Sequence, residues 1–352
     1  MAAAAASLRN HEPITEPPPP LLRRLSFGLQ TWAFKGLVNC ALPLMRWRDP
    51  SKFQQFAPTY TKRYDIRPSL ECRVFIPSTY ESGQKLPLYI NIHGGGFTIG
   101  EPQLDDPLCH FLANKFRYVV VSLQYRLAPA WPFPYAVDDC TELSLAVLKD
   151  TELPVDYDRV AMGGQSAGGN LILAAVQDPR LLPQIKALVP IYPVVDFSKR
   201  YAGDFRDRPA DSEGQGAKKD ILRPISDLFR WAYMPYYQDR TDSRLSVIYA
   251  DRASFPSSIY FIAAQYDKLC CEAFQMAKKL VGDDSLKEEE NWDKNGIRWE
   301  RLSDAMHGFI EQDWKRGSDG EVNPWSERIE GVLSRMAAWL EAVFQKEREP
   351  VL

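Results

Sequence analysis

The sequence predicts an α/β fold. Its mostly parallel, twisted central sheet is flanked by helices, and a helical cap comes from the N-terminal segment and an insertion near residues 198–240. Three observations predict it. Short apolar runs such as YVVVSLQYR (118–126) have the composition of strands buried on both faces. Such runs alternate with helical stretches, as in a sheet covered on both sides. One polar, glycine-containing segment, 198–220, breaks the alternation and is too long for a plain connection.

In chain order, residues 1–22 read as a Pro-rich leader, partly disordered, ending near EPPPP. Residues 23–60 are expected to form N-terminal cap helices. The apolar stretch within them is interrupted by Gln30, Lys35 and Asn39 and broken by Pro43, which makes it a poor membrane span and a better amphipathic helix. The core is assigned to 70–197 and 245–347. Strands are expected at 71–78, in 86–96 where a strand runs into a glycine turn, at 118–126, 159–164, 185–195 and 258–267, and in 297–308 as a last strand and its loop. Helices are expected near 105–116, 135–149, 168–177, 271–281 and 327–346. In the 198–244 insertion, Ile221, Leu222, Ile225, Leu228, Phe229 and Ala232 fall at helical spacing.

Composition narrows the classes. Hydrophobic residues make up 45% and charged residues 25%, with net charge −3, so no basic excess points to nucleic acid or an anionic membrane. The six cysteines have no zinc-type spacing, and Cys270 and Cys271 are adjacent. They read as reduced thiols of a cytoplasmic protein, and no secretory signal is read at the start. No metal site is expected.

The chemistry is concentrated in AMGGQSAGGN (161–170). Here the expected strand runs through Gly164-Gln165-Ser166-Ala167-Gly168 into a helix, the G-x-S-x-G pattern in strand–turn–helix context. Such a turn lifts the serine above the sheet and turns the Ala167 N–H toward the same space. A serine hydroxyl needs a base, and the base an orienting acid. Of the four histidines, His11, His93, His110 and His307, only His307 follows the serine. Asp267 ends the strand before it and is the expected acid, with Asp304 and Glu272 as substitutes. A third motif, His93-Gly94-Gly95-Gly96, follows a buried strand and can turn backbone N–H groups inward. Donors on Gly94, Gly95 and Ala167 would form an oxyanion hole. His93, Gly96 and Gln165 are expected to support it, His93 by ordering the loop. A phosphate-binding loop is excluded, because no G-K-[ST] follows.

With these residues assembled, the chain resembles the α/β-hydrolase superfamily and, within it, the hormone-sensitive-lipase-like esterases marked by HGGG. YRLAPAWPFPYAVDD (125–139), GQSAGGNL, AAQYDKL and MHGF are similar to that family's blocks in order and spacing, over about residues 70–345. The resemblance implies a Ser166–Asp267–His307 triad, the oxyanion hole named above, a cap built partly from the N-terminal helix, and no metal or organic cofactor. Gln124 departs from the aspartate that the family often carries there. Tyr125, Arg126, Asp138 and Asp139 read as structural.

The expected function is hydrolysis of small carboxylic esters, apolar or aromatic, through an acyl-enzyme. The alternatives are an acyltransferase, thioesterase or lactonase on the same triad in a biosynthetic pathway, and more remotely a non-catalytic small-molecule receptor. The expected partner is the ester substrate alone, without nucleic acid or an integral membrane span. Homodimerisation is left open.

Overall fold

The computed structural model describes residues 13–48, 54–210, 216–310 and 324–346. Among them, one sheet comprises β1 (Tyr60–Arg63), β2 (Glu71–Phe75), β3 (Leu86–Ile92), β4 (Val119–Leu123), β5 (Val155–Gln165), β6 (Ala187–Ile191), β7 (Ser258–Tyr266), β8 (Trp292–Lys294) and β9 (Ile297–Met306). The strand order is β1-β2-β4-β3-β5-β6-β7-β9-β8. Pairs from β4 through β9 are parallel. The pairs β1–β2, β2–β4 and β8–β9 are antiparallel.

Alternation within each strand divides the core between the two faces. Leu88, Ile90 and Ile92 of β3 join Val119, Val121 and Leu123 of β4 on one side. Tyr89 and Val120 point to the other. The first face is covered by α3 (Tyr135–Val147), α4 (Ala167–Ala175) and α6 (Leu269–Val281). The second is covered by α2 (Asp106–Phe116) and α7 (Pro324–Lys346). Because the central strands are parallel, their C-terminal ends share one edge. Ile92 pairs with Gly164, Gln165 with Ile191, and Tyr266 with Met306.

The expected strands and core helices are present with small shifts of boundary. Two expectations are corrected. The sheet begins at Tyr60, not near 70, and gains the short edge strands β1 and β8. Four and three residues, with mostly exposed side chains, leave too little apolar pattern to read. Pro43 does not break the N-terminal helix: α1 runs through it from Leu21 to Arg48. The ring stands on the exposed side, as does Asn39, so water can take the carbonyl that loses its donor.

The leader is strapped down over its described part. The Arg240 amide donates to the Ile14 carbonyl at 2.9 Å, the Ile14 amide donates to Asp239 Oδ1 at 3.2 Å, and Glu16 pairs with Arg240. The expectation of disorder at its start falls on residues 1–12, outside the described residues. Inside the insertion, α5 (Ser226–Tyr233) packs on α1, with Phe27 against Trp231 at 6.1 Å and Phe34 against Phe229 at 6.2 Å between ring centroids.

A buried carboxylate ties the segment after β4 to α3. Asp139, fully buried, accepts from Arg67 Nε at 2.6 Å, from Arg126 Nε at 2.7 Å and Nη2 at 2.6 Å, and from the Arg126 amide at 3.1 Å. Removing one partner of such a group strands the others. Asp139→Ala is therefore expected to lower unfolding stability by about 3 kcal/mol, read from urea denaturation. An unchanged midpoint and slope would contradict this account of the pair.

Candidate active site

Four chain segments leave the sheet at its C-terminal edge, each after a strand, and carry the side chains singled out in the sequence: His93 after β3, Ser166 after β5, Asp267 after β7 and His307 after β9. Their convergence follows from parallel strand order.

Ser166 adopts φ 53°, ψ −114°, a conformation side chains rarely take. The turn is held from both sides. The Ser166 amide donates to the Ile191 carbonyl at 2.9 Å, and the Asn170 amide donates to the Ser166 carbonyl at 3.2 Å. Gly168 permits the tightness, because a methyl on its Cα would overlap the Ile92 carbonyl of the neighbouring strand.

Ser166 Oγ lies 2.9 Å from His307 Nε2, and His307 Nδ1 lies 2.8 Å from Asp267 Oδ2. The other carboxylate oxygen of Asp267 accepts the Leu269 amide at 2.9 Å, which fixes its plane. Asp267 is fully buried and His307 almost so. The edge of Tyr192 packs on the imidazole at 4.9 Å. The substitutes named from sequence are engaged elsewhere. Glu272, pushed up to about 8 by burial, accepts the Val195 and Asp196 amides at 2.8 and 3.3 Å. The Asp304 carboxylate stands 3.9 Å from Arg208 Nε.

The glycine loop meets the serine turn directly. A Cβ on Gly94 would stand 3.1 Å from the Gln165 carbonyl and 3.6 Å from Ser166 Cβ. Gly95 and Gly96 have φ of 108° and 57°. Gly95 accepts the amides of Thr98 and Ile99, closing the loop on itself. Among the described loop hydrogen bonds, the N–H groups of Gly94 and Gly95 are not donors.

His93 braces this loop. Its Nδ1 lies 2.8 Å from the Gly94 carbonyl and its Nε2 3.0 Å from Gln124 Oε1. The ring stacks on Tyr125 at 4.3 Å, and the Tyr125 hydroxyl donates toward the carbonyls of His93 and Gly94. Burial pushes His93 down to about 4, so it is neutral at physiological pH.

Several supporting contacts escaped the sequence reading. With its nitrogen turned toward Asp105, the Gln165 amide donates to Asp105 Oδ2 at 3.0 Å and to the Ile92 carbonyl at 3.3 Å. Asn91 donates to the same oxygen at 2.7 Å. These buried polar groups lie under the turn and join β3, β5 and the segment before α2. A polar Asn91 inside the apolar run LPLYINI was the available signal. Phe229 of α5 covers Gly96 so closely that a Cβ there would overlap its ring. The site thus has a strained serine turn, an imidazole–carboxylate pair and a glycine loop, beneath an aromatic layer from α1 and α5. Among the described residues, no group of three or more His, Cys, Asp and Glu side chains could hold a metal.

Comparison with known proteins places this arrangement. A family profile described as the alpha/beta hydrolase fold matches residues 89–309. Over 222 residues the chain is 30% identical to an ethyl acetate hydrolase from Pseudomonas putida, covering 60% of this chain and 65% of the relative. It is 30% identical over 203 residues to an arylesterase from Saccharolobus solfataricus, covering 55% and 62% respectively. The matches thus span just under two thirds of these relatives' lengths. A hyperthermophilic esterase from Pyrobaculum calidifontis has the same fold, with a TM-score of 0.66 at 24% identity over 93% of this chain and 99% of that one. The family match covers more than half of the chain and holds the serine turn, Asp267 and His307: the protein belongs to the α/β-hydrolase fold family.

Proposed function

We propose that the protein is a serine hydrolase of small, apolar or aromatic carboxylic esters, with Ser166 as nucleophile, His307 as general base and acid, and Asp267 as the group that orients His307. The observation that carries this reading is the continuous hydrogen-bonded line from Ser166 Oγ through the imidazole to Asp267. It is supported by relatives named ethyl acetate hydrolase and arylesterase.

The proposed steps follow from the hydrogen-bonded line. With Nδ1–H donated to Asp267, the neutral imidazole presents the lone pair of Nε2 to the serine hydroxyl. As Oγ bonds to the acyl carbon, its proton passes to Nε2, and the carbonyl π pair moves onto oxygen. In this reading the amides of Gly94, Gly95 and Ala167 take that charge, and the start of α4 adds favourable dipole. The proton on Nε2 then goes to the departing alkoxide, leaving an acyl-serine. Water repeats the sequence: its proton goes to Nε2, its oxygen to the acyl carbon, and Ser166 is released as the alcohol. The aromatic layer of Phe34, Phe229 and Trp231 favours apolar acyl or alcohol groups. His93 takes no proton in this scheme: it holds the loop.

Two outcomes test the assignment. Ser166→Ala should lower kcat/KM for p-nitrophenyl acetate by about 10⁴-fold or more while the thermal midpoint stays near that of the parent. Equal activity would remove Ser166 from the mechanism. On the acid side, log kcat/KM should fall by about one per pH unit, since protonation of His307 consumes the base. His93, held down to about 4 by burial, stays neutral from pH 5 to 8 and adds no ionisation of its own to that limb. A flat profile there would contradict the role of His307.

A further inference from the structure

The longest helix has one face that packs on the protein and another that packs on nothing among the described residues. Inward, Thr31 is buried, and Phe27 and Phe34 rest on Trp231 and Phe229 of α5. Outward, Leu21, Leu25, Leu29, Trp32, Leu44 and Trp47 fall within a sector of about 140° at 100° per residue. They are exposed, Leu29 by 74% and Trp47 by 81%. At 1.5 Å per residue the stripe runs for roughly 40 Å. Soluble proteins rarely leave so long an apolar strip facing water.

The charges on the same helix identify what covers it. Residues 21–48 contain Arg23, Arg24, Lys35, Arg46 and Arg48 and no acidic residue. Lys35 and Arg46 turn inward, to the Ala128 carbonyl and to Glu101. Arg23, Arg24 and Arg48 are exposed near the two ends; Arg24 lies on the inward side with its guanidinium over the Tyr236 ring at 5.0 Å, whereas Arg23, over Phe27 at 5.3 Å, and Arg48 lie nearer the outward stripe. A second copy seated on this stripe would bring cations against cations, with no carboxylate on the helix to offset them. No described helix is long and apolar enough to cross a membrane. Apolar residues with two tryptophans on one side, Arg23 and Arg48 toward its edge and no acidic residue on the helix suit a helix lying in a bilayer interface.

We propose that α1 docks the protein on an anionic lipid surface. The helix lies in the plane of the membrane, with its leucines and tryptophans among the upper acyl carbons and Arg23 and Arg48 at the phosphates. The inference stands on the helix and does not depend on the esterase reading.

Vesicle flotation of the full chain tests it, with phosphatidylcholine alone and with two parts phosphatidylcholine to one part phosphatidylserine. The parent protein should float with the mixed vesicles and bind neutral ones at least about tenfold more weakly, as exposed arginines near an anionic surface require. The triple variant Leu25→Glu, Leu29→Glu, Trp47→Glu should lose about tenfold or more of the binding to mixed vesicles, with an unchanged thermal midpoint and unchanged hydrolysis of a short water-soluble ester. A parent protein that stays at the bottom of the gradient with both vesicle types would overturn the proposal. So would equal binding to neutral vesicles, or a dimer in sedimentation equilibrium that the triple variant abolishes.

Discussion

The close approach of Gly168 to the carbonyl of Ile92 is the constraint on which the rest of the site depends. Only a residue without a side chain lets α4 start so near the end of β3. That nearness brings the turn carrying Ser166 against Gly94, at the root of the glycine loop. Ser166 itself sits in a costly backbone region, of order 1–3 kcal/mol for such residues, and the surrounding contacts offset that cost. The Ile191 carbonyl holds its amide, and Gln165, Asn91 and Asp105 form a buried polar support one layer below. A polar group buried there without partners would be expensive, so these side chains also fix how β3 and β5 meet.

The glycine loop is braced from its far side in a different way. Tyr125 stacks on His93 and reaches the carbonyls of His93 and Gly94, while Gln124 meets the other imidazole nitrogen. Burial depresses the basicity of His93 and the Gln124 hydrogen bond only partly opposes it, whereas a carboxylate at 124 would favour the protonated ring far more strongly. The departure at Gln124 therefore bears on the charge of His93. From above, Phe229 holds the loop through its contact with Gly96, and Phe34 of α1 backs Phe229. The proposed oxyanion donors are thus set by two layers, one polar and one aromatic.

Much of this was legible in the sequence because parallel strand order turns chain order into geometry. Each candidate side chain follows its own strand, so reading the strands placed Ser166, Asp267 and His307 at one edge. The scarcity of histidines after Ser166 settled which imidazole to consider. Less was legible where a contact joins distant segments without a periodic signature. Nothing local tells that Asp105 lies under Gln165, that Phe229 touches Gly96, or that Glu16 is held by Arg240. The edge strands β1 and β8 are too short and exposed to alternate visibly. Pro43 lies inside α1 and not at its end, with Asn39, whose carbonyl loses its donor, on the exposed side.

The central claim is that one hydroxyl, at 166, is made nucleophilic by the imidazole at 307. Its most direct measurement is the rate and position of covalent labelling by a fluorophosphonate, read by peptide mass spectrometry on the parent protein and on His307→Gln. The account predicts one phosphonyl group per chain on the peptide holding Ser166, with labelling slowed by about 10³-fold or more in the variant. Labelling of another residue, or equal rates in the two proteins, would contradict it.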